Sequence, residues 1–68
     1  MEPAEKGERY ARLFRKAGVF LAKADIGRAT QVLSEGEELA RSLGDGVMAR
    51  RFAKEIERIR RAGVPSPE

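Results

Sequence analysis

Several residue types on which catalysis and cross-linking depend are missing from this chain. Its 68 residues include no cysteine, no histidine and no tryptophan. Without cysteine there is no disulfide and no thiolate zinc site, and without histidine the commonest general base and metal ligand is missing as well. We therefore expect no catalytic site, no metal site and no cofactor, and a chain this short is not expected to enclose a cleft for a small-molecule substrate.

Long apolar runs are missing too. No stretch approaches the roughly 20 residues that a membrane-spanning helix requires. Residues 1–5 (MEPAE) lack the basic-then-apolar order of a secretion signal. These features predict a cytoplasmic protein without a membrane partner.

Apolar side chains recur at helical spacing in three segments. Within each segment they stand at steps of three and four, which places them on one side of a helix. The members of the three stripes are Tyr10, Phe14, Ala17, Leu21 and Ala24, then Ile26, Ala29, Leu33, Gly36, Ala40 and Leu43, then Met48, Phe52, Ile56 and Ile59. Since no segment alternates apolar and polar residues as a strand does, the predicted fold class is all-α.

Capping and turn residues set the helix boundaries. Asp25 and Asp45 are expected to cap the second and third helices, and Gly44 is expected to take the left-handed position after the second. The predicted helices cover about residues 3–24, 26–43 and 46–62. Connections this short make consecutive helices antiparallel. The prediction is an antiparallel three-helix bundle over residues 1–63, followed by a disordered tail over 64–68.

Two glycines lie inside the predicted helices, where each costs about 1 kcal/mol relative to alanine. Gly18 lies beside the stripe of the first helix, and Gly36 lies within the stripe of the second. We expect both to allow helices to approach one another closely.

Two stretches of the chain resemble a tetratricopeptide repeat. Residues 17–29 read AGVFLAKADIGRA and residues 38–45 read ELARSLGD. In that family a small residue followed by glycine in the first helix packs against a small residue early in the second helix. Ala17, Gly18 and Ala29 stand at those positions in this sequence.

The resemblance covers about residues 8–45, with 46–63 in the place of a following or capping helix. One residue is missing from the turn between the two helices, and no proline ends the repeat near Asp45. Only one repeat is present, whereas about three are normally needed for an independent solenoid. The three-helix order also resembles the microtubule-interacting-and-trafficking domain. Both families bind peptide segments of other proteins, so both imply a protein-interaction function.

Apolar residues that flank the stripes are the candidates for partner binding. Three short helices are not expected to bury all of them, and one exposed apolar patch would indicate a protein partner. These candidates are Leu13, Phe20, Val32, Leu39 and Val47. We predict a non-enzymatic module that binds a partner helix or peptide, or forms a homo-oligomer, through an apolar groove.

Basic residues opposite the apolar stripes of the first and third helices leave a second function open. The candidates for phosphate contact are Arg9, Arg12, Lys16, Lys23, Arg50, Lys54, Arg58 and Arg61, in a chain of net charge +3. Such faces support nucleic-acid binding that depends on salt and little on base sequence. An ordinary solvated surface has the same pattern. The aromatic residues, on which bases would stack, fall mostly on the apolar side, which favours protein partners.

Overall fold

The computed structural model describes residues 2–63, which form three helices and no strand. They are α1 (Pro3–Ala22), α2 (Ile26–Ser42) and α3 (Gly46–Gly63). The predicted all-α class and three-helix bundle are confirmed; the three helices begin where predicted and end within one or two residues of the predicted positions. The predicted tail over 64–68 lies outside the described residues.

The middle helix, α2, packs against both of the others. Within residues 2–63, no Cα atom of α1 comes within 8 Å of a Cα atom of α3. The two outer helices meet through side chains instead. The ring of Phe14 stacks on that of Phe52 with centroids 4.5 Å apart, and Tyr10 meets Phe52 edge-on at 5.7 Å. Phe52 of α3 thus joins all three helices.

Small residues on α2 are buried between the helices, and one of them lies directly under the ring of Phe52. Ala29 and Ala40 are fully buried, and the ring of Phe52 lies directly over the backbone of Gly36. The expectation of close approach is therefore confirmed for Gly36. It is wrong for Gly18, which is exposed and has open space where a Cβ would stand.

The core follows the predicted stripes with a few changes at their edges. Buried apolar side chains are Tyr10, Ala17, Ala29, Val32, Leu33, Ala40, Ala49, Phe52, Ile56 and Ile59. Val32 and Ala49 were not predicted in the stripes. Ile26 and Leu43, at the two ends of the α2 stripe, are 38% and 36% exposed. Ala24 lies after the end of α1, so its assignment to the first stripe is wrong.

The two turns between helices have the same construction. In each, three residues reverse the chain, and the middle one has a positive φ, 61° at Ala24 and 73° at Gly44. The backbone N–H of Asp25 donates to the carbonyl of Phe20 at 2.8 Å, and that of Asp45 donates to Ala40 at 2.8 Å. These bonds satisfy carbonyl groups that a helix end leaves free.

The last residue of each turn caps the following helix, as predicted. Asp25 Oδ1 accepts from the backbone N–H of Arg28 at 3.1 Å, and Asp45 Oδ1 accepts from that of Met48 at 3.1 Å. The left-handed backbone at Gly44 is also confirmed. Alanine in the matching position of the first turn was not predicted, because an L side chain is disfavoured there.

Candidate interaction surface

Two of the five predicted partner-binding residues lie together at the seam between α1 and α2. Leu13 and Leu39 are both half-buried and line a shallow depression of about 310 Å³. Arg9, Arg12 and Glu35 complete its lining. The depression is thus apolar at its floor and carries both signs of charge at its rim.

Two others are engaged in contacts elsewhere in the bundle. The ring of Phe20 is half-buried, and the guanidinium carbon of Arg28 lies 5.9 Å from its centroid, within cation–π range. Val32 is only 5% exposed and belongs to the core. Its assignment to an exposed groove is wrong, because α2 is covered from two sides and buries a wider face than one stripe.

The fifth, Val47, lies on the outer face of α3. It is 67% exposed, more than Val19 at 53%. With Ala53 it lines a shallow depression of about 510 Å³ whose other lining residues are Arg50, Arg51, Lys54 and Glu57. We call this set of six residues the outer face of α3. The predicted groove residues therefore form two separate surfaces rather than one.

The outer face of α3 is positively charged. Among residues 2–63, no acidic side chain forms an ion pair within 4.0 Å with Arg50, Arg51 or Lys54. Glu57, the one acidic residue of the face, is already paired with Arg61 at 3.2 Å. Its carboxylate therefore offsets a cation outside the face.

The eight predicted phosphate-contacting residues are all exposed, but they form two stripes that point in different directions. At about 100° per residue, Arg12 and Lys16 lie roughly 160–200° around α1 from Phe14, whereas Lys23 lies in the turn after the end of α1. Lys54 lies about 200° around α3 from Phe52. Because Phe14 and Phe52 face one another, the two basic stripes point away from each other. A DNA duplex bound to one stripe would therefore not contact the other.

Two members of the α3 stripe are already paired on their own helix. Arg58 bonds with Glu55, and Arg61 with Glu57. Exposed pairs of this kind contribute little to stability. They do reduce the charge that these two positions offer to a phosphate.

A further depression lies where the ends of α1 and α3 meet the start of α2. Leu21, Ile26 and Ile59 line it together with Arg58 and Ala62, and it encloses about 320 Å³. The exposed part of Ile26 belongs to this depression. It was not among the predicted partner-binding residues.

A polar cluster around Asp45, which the sequence predicted only as a cap, ties α1 to the second turn. Lys6 Nζ lies 3.2 Å from Asp45 Oδ2, and the hydroxyl of Tyr10 donates to the same oxygen at 3.2 Å. The other oxygen accepts from the Met48 N–H. One carboxylate therefore holds the start of α3 and the first turns of α1.

The cluster shifts the pKa of two groups in opposite directions. The hydrogen bond from the Met48 N–H lowers the pKa of Asp45 below its usual 3.8, against desolvation, and the contacts with Lys6 and Tyr10 lower it further. Desolvation raises the pKa of the Tyr10 hydroxyl above its usual 10.0, and the hydrogen bond and negative charge of Asp45 add to that. Both shifts favour the observed pairing of phenol and carboxylate.

Comparison with protein-family models, with curated proteins and with solved structures gives no match for this chain. The three-helix architecture is compatible with a helical-repeat-like fold. No helix in the described part of the chain is long and apolar enough to cross a membrane. Residues 2–63 also contain no cluster of three or more potential metal-ligating side chains.

Proposed function

We propose that this chain is a non-enzymatic protein-interaction module that binds a helical segment of a partner protein, or a second copy of itself, through surface apolar side chains. The observation that carries the proposal is the exposure of Val47, 67%, beside Ala53 in a shallow depression of α3. An exposed apolar surface rimmed by polar residues is typical of an interaction site. The absence of histidine and cysteine from the sequence also favours binding over catalysis.

The helix arrangement supports a tetratricopeptide-like organisation within this proposal. Both α1 and α3 pack against α2, and Phe14 and Phe52 meet across it. A repeat hairpin and the first helix of the next repeat are stacked in a similar order. Ala17 and Ala29, at the small positions of the motif, are both buried. The exposed Gly18 does not make the close contact that the family motif implies.

The proposal is tested by measuring solution mass by light scattering at about 0.1 M and 1 M salt, where the Debye lengths are about 10 and 3 Å. Each sample is measured with and without a random DNA duplex. A discrete oligomer that is unaffected by salt and DNA would support self-association. A monomer that joins the duplex at 0.1 M salt and leaves it at 1 M would favour the nucleic-acid function instead.

A further inference from the structure

We propose that the outer face of α3 is the binding site and that its occupant is an acidic amphipathic helix of another protein. The inference rests on the proposed function, and it specifies the surface and the chemistry of the partner. Val47 and Ala53 would contact the apolar side of that helix, while Arg50, Arg51 and Lys54 would contact its carboxylates.

The shape of the face suits a helix. From Val47 to Glu57 the face extends about 15 Å along α3, at roughly 1.5 Å per residue, which is close to three helical turns. Small side chains let helix backbones approach, and Ala53 lies near the middle of this length. Val47 at one end supplies the large apolar contact. A partner helix of three or four turns would cover the whole face.

Charge distinguishes the two possible occupants of the face, a helix of another protein and a second copy of this chain. The face carries three basic residues and one acidic residue, and that acidic residue, Glu57, is paired with Arg61 outside the face. Two copies meeting through this face would bring like charges together, which is unfavourable. A partner with carboxylates at helical spacing would neutralise Arg50, Arg51 and Lys54 at once. An acidic helix therefore fits the face better than a second copy.

The other apolar surfaces fit such a partner less well. At the seam between α1 and α2, Leu13 and Leu39 are both half-buried, so neither offers an apolar side chain as exposed as Val47. The rim there carries Glu35 beside Arg9 and Arg12, so its positive charge is partly offset. Val19 is exposed on α1 but lines none of the depressions described above. Only the outer face of α3 combines a well-exposed apolar side chain with three cations that have no acidic partner within residues 2–63.

The test uses a synthetic, fluorescently labelled peptide of about 14 residues, close to four helical turns. It has leucine and alanine along one side and glutamate elsewhere. A second peptide has lysine in place of each glutamate. Binding to the full chain is measured by fluorescence anisotropy at about 0.1 M salt. We expect saturable binding of the acidic peptide and much weaker binding of the basic one.

Substitutions on the outer face of α3, compared with matched substitutions on α1, test where the acidic peptide binds. Val47→Asp should weaken binding of the acidic peptide by about tenfold or more, through lost apolar burial and added repulsion. Arg50→Glu should weaken it by about threefold to tenfold. The matched controls are Val19→Asp and Arg15→Glu on α1, which make the same chemical changes at exposed positions and should leave the dissociation constant within about twofold. Circular dichroism of each variant verifies that it folds.

Any of four results would overturn this inference. The first is equal or tighter binding of the basic peptide, and the second is equal weakening by Val19→Asp and Val47→Asp. The third is binding that depends on Arg50 but not on Val47, with a random duplex displacing the peptide completely, as expected for a purely electrostatic surface. Self-association without binding of the acidic peptide would also overturn it, yet would leave the proposed function standing. If light scattering shows no self-association and anisotropy shows no binding of the acidic peptide, the proposed function is contradicted as well.

Discussion

The ring of Phe52 occupies the space that a side chain at Gly36 would require. A Cβ atom built on Gly36 would lie 2.3 Å from Cε1 of Phe52 and 2.5 Å from its Cζ. Carbon atoms in contact are normally about 3.5–4.0 Å apart, so no side chain fits there without movement of the ring. The ring is itself fixed by Phe14 and Tyr10. Glycine at this position is thus a condition for the contact between the two outer helices.

Gly36→Ala should therefore destabilise the protein. Overpacking a core lowers the free energy of unfolding by about 1–3 kcal/mol, and the higher helix propensity of alanine offsets up to about 1 kcal/mol of that loss. We expect a net loss of about 1–2 kcal/mol in the free energy of unfolding, measured by urea denaturation. Gly18→Ala is the matched control, since nothing lies within 4 Å of a Cβ there. It should stabilise the protein by roughly 0.5–1 kcal/mol. Equal effects of both substitutions would contradict the steric explanation.

The two turns predict a pair of substitutions with opposite effects. Ala24 has φ 61° and Gly44 has φ 73°, a region in which a residue with a Cβ is disfavoured. Ala24→Gly should stabilise the protein, and Gly44→Ala should destabilise it, each by about 0.5–1 kcal/mol after the change in unfolded-state entropy is included. Thermal denaturation of both variants measures this. A fall in melting temperature for Ala24→Gly would show that the turn tolerates alanine without strain.

Lowering the pH should weaken the contacts that Asp45, in the second turn, makes with Lys6 and Tyr10 of α1. Because the pKa of Asp45 is lower in the folded protein than in the unfolded chain, its contribution to stability is present above the unfolded value. That contribution is lost as the pH falls through the folded pKa, which lies below 3.8. Asp45→Asn should be less stable than the parent protein at neutral pH, and the gap should narrow in acid. Urea denaturation from about pH 7 to pH 2 measures the gap, and a constant gap would contradict the assignment.

Alkali should act on the same cluster through Tyr10. The pKa of its hydroxyl is raised on folding, so its contribution to stability is present below 10.0 and is lost as the pH rises through the folded value. Tyr10→Phe lacks the hydrogen bond to Asp45 and should be the less stable protein at neutral pH. Above the folded pKa the order should reverse, because only the parent protein would then carry a phenolate beside a carboxylate. Denaturation of both proteins at several alkaline pH values tests for that reversal.

The fold could be predicted because local signals agree with one another. Apolar spacing defined three helices, and Asp25, Gly44 and Asp45 defined the turns between them. Ala24 was misassigned because apolar spacing alone does not show where a helix ends, and alanine carries no turn signal of its own. Val32 was misassigned because the width of a buried face depends on how many helices cover it. The number of helices that cover α2 is set by the tertiary packing, which the spacing of apolar residues within one segment does not show.

The surfaces could be predicted only in part. The exposure of Val47 and the basic residues around it follow from the sequence pattern of α3 alone. The tie of Lys6 and Tyr10 to Asp45 joins positions up to 39 residues apart, and it depends on which turns of α1 lie beside the second turn. The glycine of the second stripe indicated a close contact, but the pattern gave no sign that Phe52 was its partner.

The central position of α2 also bears on how quickly the chain finds its structure. Each chain reversal closes a short loop, which costs little entropy, and helical proteins dominated by contacts between sequence neighbours fold in microseconds to milliseconds. The packing of Phe52 on Phe14 is different, because these rings belong to the first and last helices. Each helical hairpin can therefore form early, with Phe52 placed over Gly36 in the second, and the step that completes the domain is the packing of the Phe14 ring on that of Phe52.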